Sequence, residues 1–582
     1  MKLNKILSVL CFSAIISSCN SILDLEPLDA PSASTFITTV DELDIAVNGA
    51  YRSMTKLMGY GSHMQICFDN GPTDIGIARI ASAAGTISLG EGVFDPSNGE
   101  NAEYYKYFYG NIQQANYILE RLPQLKSQLS DQRYNEYMGE VLFLRAYSYL
   151  YMTELWGDVP YLDFVPQTPV EALLPRTSKA KIVEKMMNDL QNAADMLPTT
   201  WSGVDKGRIT KGAALGLRAR MALYNSQWLE AAKSAKAVMD LESAAGYALH
   251  PDYYNLFQRA GEGNAEAMLI APSDDQFLAS SFPNIFGSRN HGYNCVINPT
   301  QSLVDSYEAT DGLPIDESAV YSPKIPFENR DPRLQATLVT PGSIWIDLHY
   351  VSHPDSAIVR KVDGTTMKNT DSRSVIWAAN FCGYLWKKYC DEVSCADRKA
   401  TSDIDFMLMR YAEILLIYAE AKIELGEIDQ TMLDASINRV RARAYGKTSV
   451  STSGYPRITT LDQRALRTII KRERKVELAN EGFRLFDIRR WRIAAKVMPV
   501  PCYGQLLDPK HTTAIPQIDE DGFVSYEGIE SEYDYNQSAF PNAFRIWDDK
   551  LYLNPIPQSE IDTYNSIRIV RNILGFRTTN LS

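Results

Sequence analysis

Apolar residues recur every three or four positions in two widely separated parts of this chain and lose that rhythm between them. In the first part, Thr39-Val40-Asp41-Glu42 is a capping-box pattern. Leu43, Val47, Ala50 and Met54 continue an apolar stripe behind it, which predicts a helix to about Gly59. From Met64 to Asn101, Gly, Ser, Asn and Asp are frequent and no period is sustained; so long a loop is expected to be functional or disordered. The period returns from Glu103 to Leu122 and from Asp131 to Trp156, where Gly157-Asp158-Val159-Pro160 stops it. Further helices are predicted over Ser178 to Leu197, Thr210 to Tyr224 and Trp228 to Leu241, the last two parted by Asn225-Ser226-Gln227.

Ala213, Gly216, Ala219 and Ala222 allow that last pair to approach closely. Ala219 to Ala235 resembles the inter-helix half of a tetratricopeptide repeat, a helix hairpin of about 34 residues. Tyr411 to Ala444 is a second match: Leu415, Ala419 and Lys422 share a face, Gly426 ends one helix, and Leu433, Ile437 and Val440 face back from the next. A repeat hairpin cannot cover its apolar face alone. The two matches are therefore expected to join in space, with Ala245 to Ser402 as an excursion from the stack. Pro, Gly and Asn are frequent there, and Val359 to Met367 reads as a strand hairpin turning at Asp363-Gly364. The predicted fold is mainly α: a tetratricopeptide-like helical scaffold with large loop-rich insertions and a few short strands.

One stretch, Glu473 to Trp491 (ERKVELANEGFRLFDIRRW), is densely charged. Arg474–Glu477, Glu481–Arg484, Arg484–Asp487 and Asp487–Arg490 stand three apart with opposite signs. On a helix surface they would form an ion ladder, each rung adding a few tenths of a kcal/mol. Val476, Ala479, Phe483 and Phe486 supply an apolar stripe, and Gly482 marks a kink or a close neighbour. The expectation is an amphipathic scaffold helix.

Composition narrows the function. The 582 residues are 45% apolar and 22% charged, as in globular proteins. A net charge of −13, with no concentration of Lys and Arg, argues against nucleic acid and permits a neutral ligand such as a sugar. Lys2 and Lys5 precede an apolar run from Ile6 to Ile16, too short to span a bilayer but suited to a signal peptide. It ends in Ile16-Ser17-Ser18-Cys19, similar to a bacterial lipoprotein processing site that leaves Cys19 as the acylated first residue. The alternative is an ordinary signal peptide with an incidental cysteine. The expected organisation is a signal peptide at 1–18, an anchor and tether at 19–40, and one domain at 41–582. That domain comprises a helical part (41–244), the insertion (245–403), late repeat helices (404–498) and a loop-rich cap (499–582). Cys67, Cys295, Cys382, Cys390, Cys395 and Cys502 remain after processing. Export permits disulfides, six cysteines allow fifteen pairings, and Cys390 and Cys395 are close enough to pair locally.

Glu473 to Trp491 also resembles the signature helix of the SusD/RagB family, surface glycan-binding lipoproteins that partner TonB-dependent transporters. Arg145-Ala146-Tyr147 with Leu155-Trp156-Gly157-Asp158-Val159-Pro160 is similar to the family's early helix and its stop. Asp331-Pro332-Arg333-Leu334 and Pro341-Gly342-Ser343-Ile344-Trp345 are similar to its middle blocks, and Met409-Arg410-Tyr411-Ala412-Glu413 to its late repeat helix. The resemblance runs along most of the chain in shared order. Ile573-Leu574-Gly575-Phe576 departs from the Asn-Pro-Gly-aromatic ending often seen. It implies a loop-built face for an oligosaccharide or polysaccharide, and a SusC-like TonB-dependent transporter as partner. It also implies a lipid anchor on the outer surface of a Gram-negative outer membrane. RagB-like relatives make a peptide receptor the alternative, and a glycoside hydrolase is the lesser one.

Catalytic patterns are weak. There is no G-x-S-x-G elbow, P-loop or G-x-G-x-x-G, so no enzyme and no cofactor are expected, while a structural calcium ion is not readable from sequence. His349 and His353 have the spacing of a zinc pair, but Tyr350 stands where a catalytic Glu would be. Sugar rings lie against exposed aromatics while polar side chains hold their hydroxyls. Candidates where loops carry such residues are Asp69, Asn70, Phe94 and Asn98, then Tyr293, Trp345 and Tyr350. Trp377, Tyr384 and Trp386 read as a strand facing the core, and the tyrosines around Tyr104 to Tyr109 as packing.

Overall fold

Capping chemistry sets the helix boundaries of the computed structural model, which describes residues 36–573 except 58–60, 62, 80–86, 275–277, 378 and 536–544. Cys19 and most of the tether lie outside the described residues. Thr39 and Glu42 cap α1 (Val40–Tyr51) reciprocally; the stripe continues only as a 3-10 turn, Arg52–Met54, so the helix is shorter than its period suggested. Asn98 and Ser130 cap α2 (Gly99–Arg121) and α3 (Asp131–Trp156), each side chain accepting a backbone N–H. Gly157, at φ 72° and ψ −117°, ends α3 where the sequence stop stands. Then follow α4 (Lys179–Met196), α5 (Lys211–Tyr224), capped by Thr210, and α6 (Trp228–Asp240). α3 packs between α2 and α4 and is buried along most of its length.

The two repeat-like hairpins meet. α6 and α5 both pack on α7 (Tyr411–Glu424), although nearly 190 residues separate α5 from it in sequence. Arg220 on α5 donates to both carboxylate oxygens of Glu413, at 2.7 Å each, and to the Leu408 carbonyl at 2.7 Å. A Cβ at Gly216 would collide with Met409, so this glycine sets how closely the halves approach. The second helix of the late hairpin is interrupted. A short turn of helix, Gln430–Ala435, stops at Ser436 (φ −130°, ψ −100°) before α8 (Ile437–Ala444).

The excursion is a patchwork of short elements. Its opening strand β1 (Ala267–Ala271) pairs antiparallel with its closing strand β2 (Phe406–Arg410), and Ile358–Arg360 pairs with Thr366–Lys368 across Gly364 as expected. Among the described residues all sheets are antiparallel pairs of two strands. No helix among them is long and apolar enough to cross a membrane.

The charged stretch is not one amphipathic helix. α9 (Gln463–Glu477) ends, the chain turns through Asn480 and Gly482 at φ 62° and 86°, and α10 (Arg484–Arg490) begins. Gly482 lies against the Gln65 backbone, where no Cβ fits. Of the expected ladder, only Asp487–Arg490 (2.8 Å) forms between neighbours on one helix. The other charges turn inward and pair over long range. Arg333, Arg410, Arg441, Arg443, Arg472 and Lys388 interleave with Asp331, Glu266, Glu308, Glu473, Glu477 and Glu481, all buried. Six cations thus meet six anions. This balance is what makes burial tolerable, since each ion alone costs several kcal/mol to desolvate. The cluster clamps α9, α8, β2 and the excursion together.

The first part of the stretch expected to be a long loop is likewise inside. Residues 63–78 are all buried, including a helical turn, Met64–Cys67, and a strand, Gly76–Ala78. The Asp69 carboxylate explains why: it accepts the amides of Glu481 (2.9 Å), Gly482 (2.8 Å) and Arg484 (2.8 Å), closing the turn before α10. Asp74 pairs with Arg484 and Lys475, both at 2.8 Å.

Candidate functional site

Burial removes most of the residues that sequence suggested for ligand contact. Asp69 and Asn70 have no exposed surface; Asn70 donates to Asn480 at 2.7 Å, and burial pushes the Asp69 carboxyl up to about 7 despite its three amide donors. Phe94 and Trp345 pack in the main core. Tyr293 is buried with its hydroxyl on the Cys395 carbonyl (3.2 Å). Asn98 is half-buried, capping α2 and donating to Ser88 at 2.9 Å. These seven residues, Tyr350 among them, do not converge on one surface. Polar or aromatic character in an aperiodic segment reported structural anchoring, not ligand contact.

One correction runs the other way. Tyr384 and Trp386 are core residues as expected, but Trp377 is 73% exposed. Among the described residues it is the sole Trp, Tyr or Phe in the exposed class. A large indole left in water forgoes about 1.5–3 kcal/mol of burial, so its position calls for a partner. The sequence signal was available: Ser372-Arg373-Ser374 before it and Ala378-Ala379-Asn380 after it lack the alternation of a strand.

The loop carrying Trp377 is held on both sides of the indole by buried polar groups. Asn369 donates to the carbonyls of Val351 (2.9 Å) and Ser356 (2.8 Å). Asp371 accepts from Ser288, the Arg289 amide (2.8 Å) and Asn290 (2.8 Å), and burial raises its pKa. Ser372 donates to the His353 carbonyl at 2.8 Å. Past the indole, Asn380 donates to the Tyr384 carbonyl (2.6 Å) and to the Tyr350 hydroxyl (2.8 Å), and accepts from Gly383 (2.8 Å). Tyr350, fully inside, is therefore a support for the loop and not a ligand contact. Arg373 pairs with Asp534 and donates to the Phe381 carbonyl at 3.2 Å, fastening the loop to the C-terminal cap. The adjoining 351–356 segment carries His353, whose ring meets the Leu507 carbonyl at 3.0 Å, and the exposed Asp355. The result is a ledge: an exposed indole on a loop pinned at Asn369, Asp371, Ser372 and Asn380, joined through Ser372 to the segment that carries His353 and Asp355.

A second concave place lies at the seam between the helical stack and the excursion. This groove of about 430 Å³ has an apolar floor of Leu256, Leu269 and Ile404, with Lys206, Glu262 and Asp405 on its rim. Its wall includes Trp201, whose indole nitrogen donates to the Ile209 carbonyl at 2.8 Å. Among the described residues no group of three or more His, Cys, Asp or Glu is placed to hold a metal ion.

Comparison with known proteins gives this architecture a lineage. The sequence model of the SusD family matches residues 256–572, and a second, described as starch-binding associating with outer membrane, matches residues 27–223. SusD-like protein P2 of Formosa agariphila is 25% identical over 496 residues, covering 82% of this chain and 88% of its own length. The starch-binding protein SusD of Bacteroides thetaiotaomicron is 23% identical, covering 76% of this chain and 83% of its own. Among solved structures, a SusD-like carbohydrate binding protein from Bacteroides fragilis superposes with a TM-score of 0.73 at 26% identity, over 91% of this chain and 99% of its own. Helical stack, large excursion and charged late helices together have one reading: the chain belongs to the SusD/RagB family.

Proposed function

We propose that this protein binds an oligosaccharide or polysaccharide at the Trp377 ledge on the outer face of a Gram-negative outer membrane, and passes it to a TonB-dependent transporter of the SusC type. The observation that carries this reading is the exposed indole on a loop whose anchors Asn369, Asp371, Ser372 and Asn380 are buried. A sugar ring presents a flat C–H face to such an indole, and a ledge already held in place loses little entropy on binding. Relatives named for starch and carbohydrate binding support the ligand class. Acylation at Cys19 would hold the binder beside the transporter, where effective concentration substitutes for high affinity. The role is capture and not turnover.

Affinity electrophoresis against a panel of neutral polysaccharides, with reducing-sugar release measured on the same samples, tests this. Retardation by at least one glycan without release of sugar is expected. Retardation by none, with peptides co-purifying instead, would move the reading to a peptide receptor; steady sugar release would make the chain a hydrolase.

A further inference from the structure

Two thiols face one another late in the excursion, just after Lys388 of the buried ion cluster. Cys390 Sγ and Cys395 Sγ are 3.4 Å apart, and both residues are fully buried. Their backbones are fixed from several sides. Asp391, between them, caps the short helix Glu392–Ala396 by accepting from the Ser394 amide (2.9 Å) and hydroxyl (2.7 Å). Glu392 donates its amide to Gln258 at 3.0 Å, and Tyr293 donates to the Cys395 carbonyl at 3.2 Å. The nearby Cys295 sulfur is engaged elsewhere, accepting from Asn298 at 3.1 Å. With the main chain so constrained, side-chain rotation need close only about 1.4 Å to reach the roughly 2.05 Å of a covalent bond.

We propose that Cys390 and Cys395 form a disulfide in the exported protein. The inference rests on export past the inner membrane, which belongs to the reading above. The oxidant is a disulfide-bearing thiol oxidase of the extracytoplasmic space. One cysteine thiolate attacks its disulfide to give a mixed disulfide, and the second thiolate displaces the oxidant's sulfur. The pair loses two electrons and two protons, and the oxidant leaves as a dithiol. The bond forms before this segment is covered. In the folded chain the neighbouring Cys395 and burial raise the Cys390 pKa, which leaves little thiolate to react. Once formed, the ring of residues 390–395 stiffens the turn that presents Lys388 to Glu481 at 2.6 Å on one side and Asp391 to Arg259 on the other.

The sequence makes the test simple. Lys388 and Arg398 bracket a tryptic peptide, Tyr389 to Arg398, that holds both cysteines and no others. The full chain is recovered from fractionated cells of its own host, denatured without reductant in N-ethylmaleimide, and digested. The expected peptide carries no adduct and is lighter by two hydrogens than its reduced form; in Cys390→Ser, Cys395 becomes fully alkylated. Two adducts on this peptide, from chain recovered in the outer-membrane fraction, would overturn the disulfide and leave the surface reading intact. A link from either cysteine to Cys295 would overturn the pairing. Recovery of the mature chain in the cytoplasmic fraction would overturn the surface reading and this inference together.

Discussion

Glu477 is the hub of the buried ion cluster, so replacing it with Gln measures what that cluster does. Its carboxylate accepts from Arg410 (2.7 Å), Arg333 (2.8 Å) and Arg443 with no exposed surface. Glu477→Gln keeps the shape and removes one negative charge, leaving six buried cations against five anions. Stranding a buried charge in this way destabilises by about 3–5 kcal/mol. Unfolding entropy near 2.1 cal/mol/K per residue, taken over 582 residues, is about 1.2 kcal/mol/K, so the melting temperature is expected to fall by about 2.5–4 °C. Calorimetry at pH 7 reads this directly, with Arg464→Ala as control, because its exposed bridge to Glu520 is screened by solvent. Acid supplies a second check. Burial alone would raise the Glu477 pKa, but Arg443, Arg410 and Arg333 outweigh it and hold the carboxyl well below its ordinary 4.5. A depressed folded pKa gives stability that is present above 4.5 and lost as pH falls towards the folded value. Glu477→Gln lacks that titration, so the gap between variant and wild type should narrow below about pH 4.5. Coincident melts at pH 7, or a gap unchanged by acid, would refute the reasoning.

Other outcomes follow from single contacts. Asp69→Ala leaves three buried amides without an acceptor and is expected to destabilise by about 2 kcal/mol or more; hydrogen exchange should quicken at Glu481, Gly482 and Arg484, and unchanged protection there would mean another group closes the turn. Asn380→Ala frees the Tyr350 hydroxyl and the Gly383 amide, so glycan affinity should drop although no ligand contact is removed, and retained affinity would show that the ledge is not held from below. Cys19→Ser should abolish incorporation of labelled palmitate and release the chain from membranes; persistent labelling would place the anchor elsewhere.

Local chemistry was legible and long-range partnership was not. Thr39 with Glu42, Ser130, Thr210 and Gly157 declare helix ends through groups a few residues away, and the observed boundaries follow them closely. The apolar faces of the two hairpins also implied a partner, and each proved to be the other's. Glu473, Glu477 and Glu481 are different. Spacing alone is consistent with a solvated ladder, and only Arg333, Arg410 and Arg443, 30 to 150 positions away in sequence, make them a buried cluster. The same limit governed the site. Asp69 and Asn70 looked like loop residues because the α10 turn they support lies some 410 residues downstream. Trp377 reads inward only when it is grouped with Tyr384 and Trp386 in one strand, and the residues on either side of it, which lack that alternation, are the sequence signal against the grouping.

Titration calorimetry with the retained glycan against wild type, Trp377→Ala and Lys206→Ala asks the central question directly. The ledge account predicts at least about a tenfold loss of affinity, near 1.4 kcal/mol, for Trp377→Ala with an unchanged melting temperature, and wild-type affinity for Lys206→Ala. Full affinity in Trp377→Ala, or a loss confined to Lys206→Ala at the rim of the groove, would contradict it.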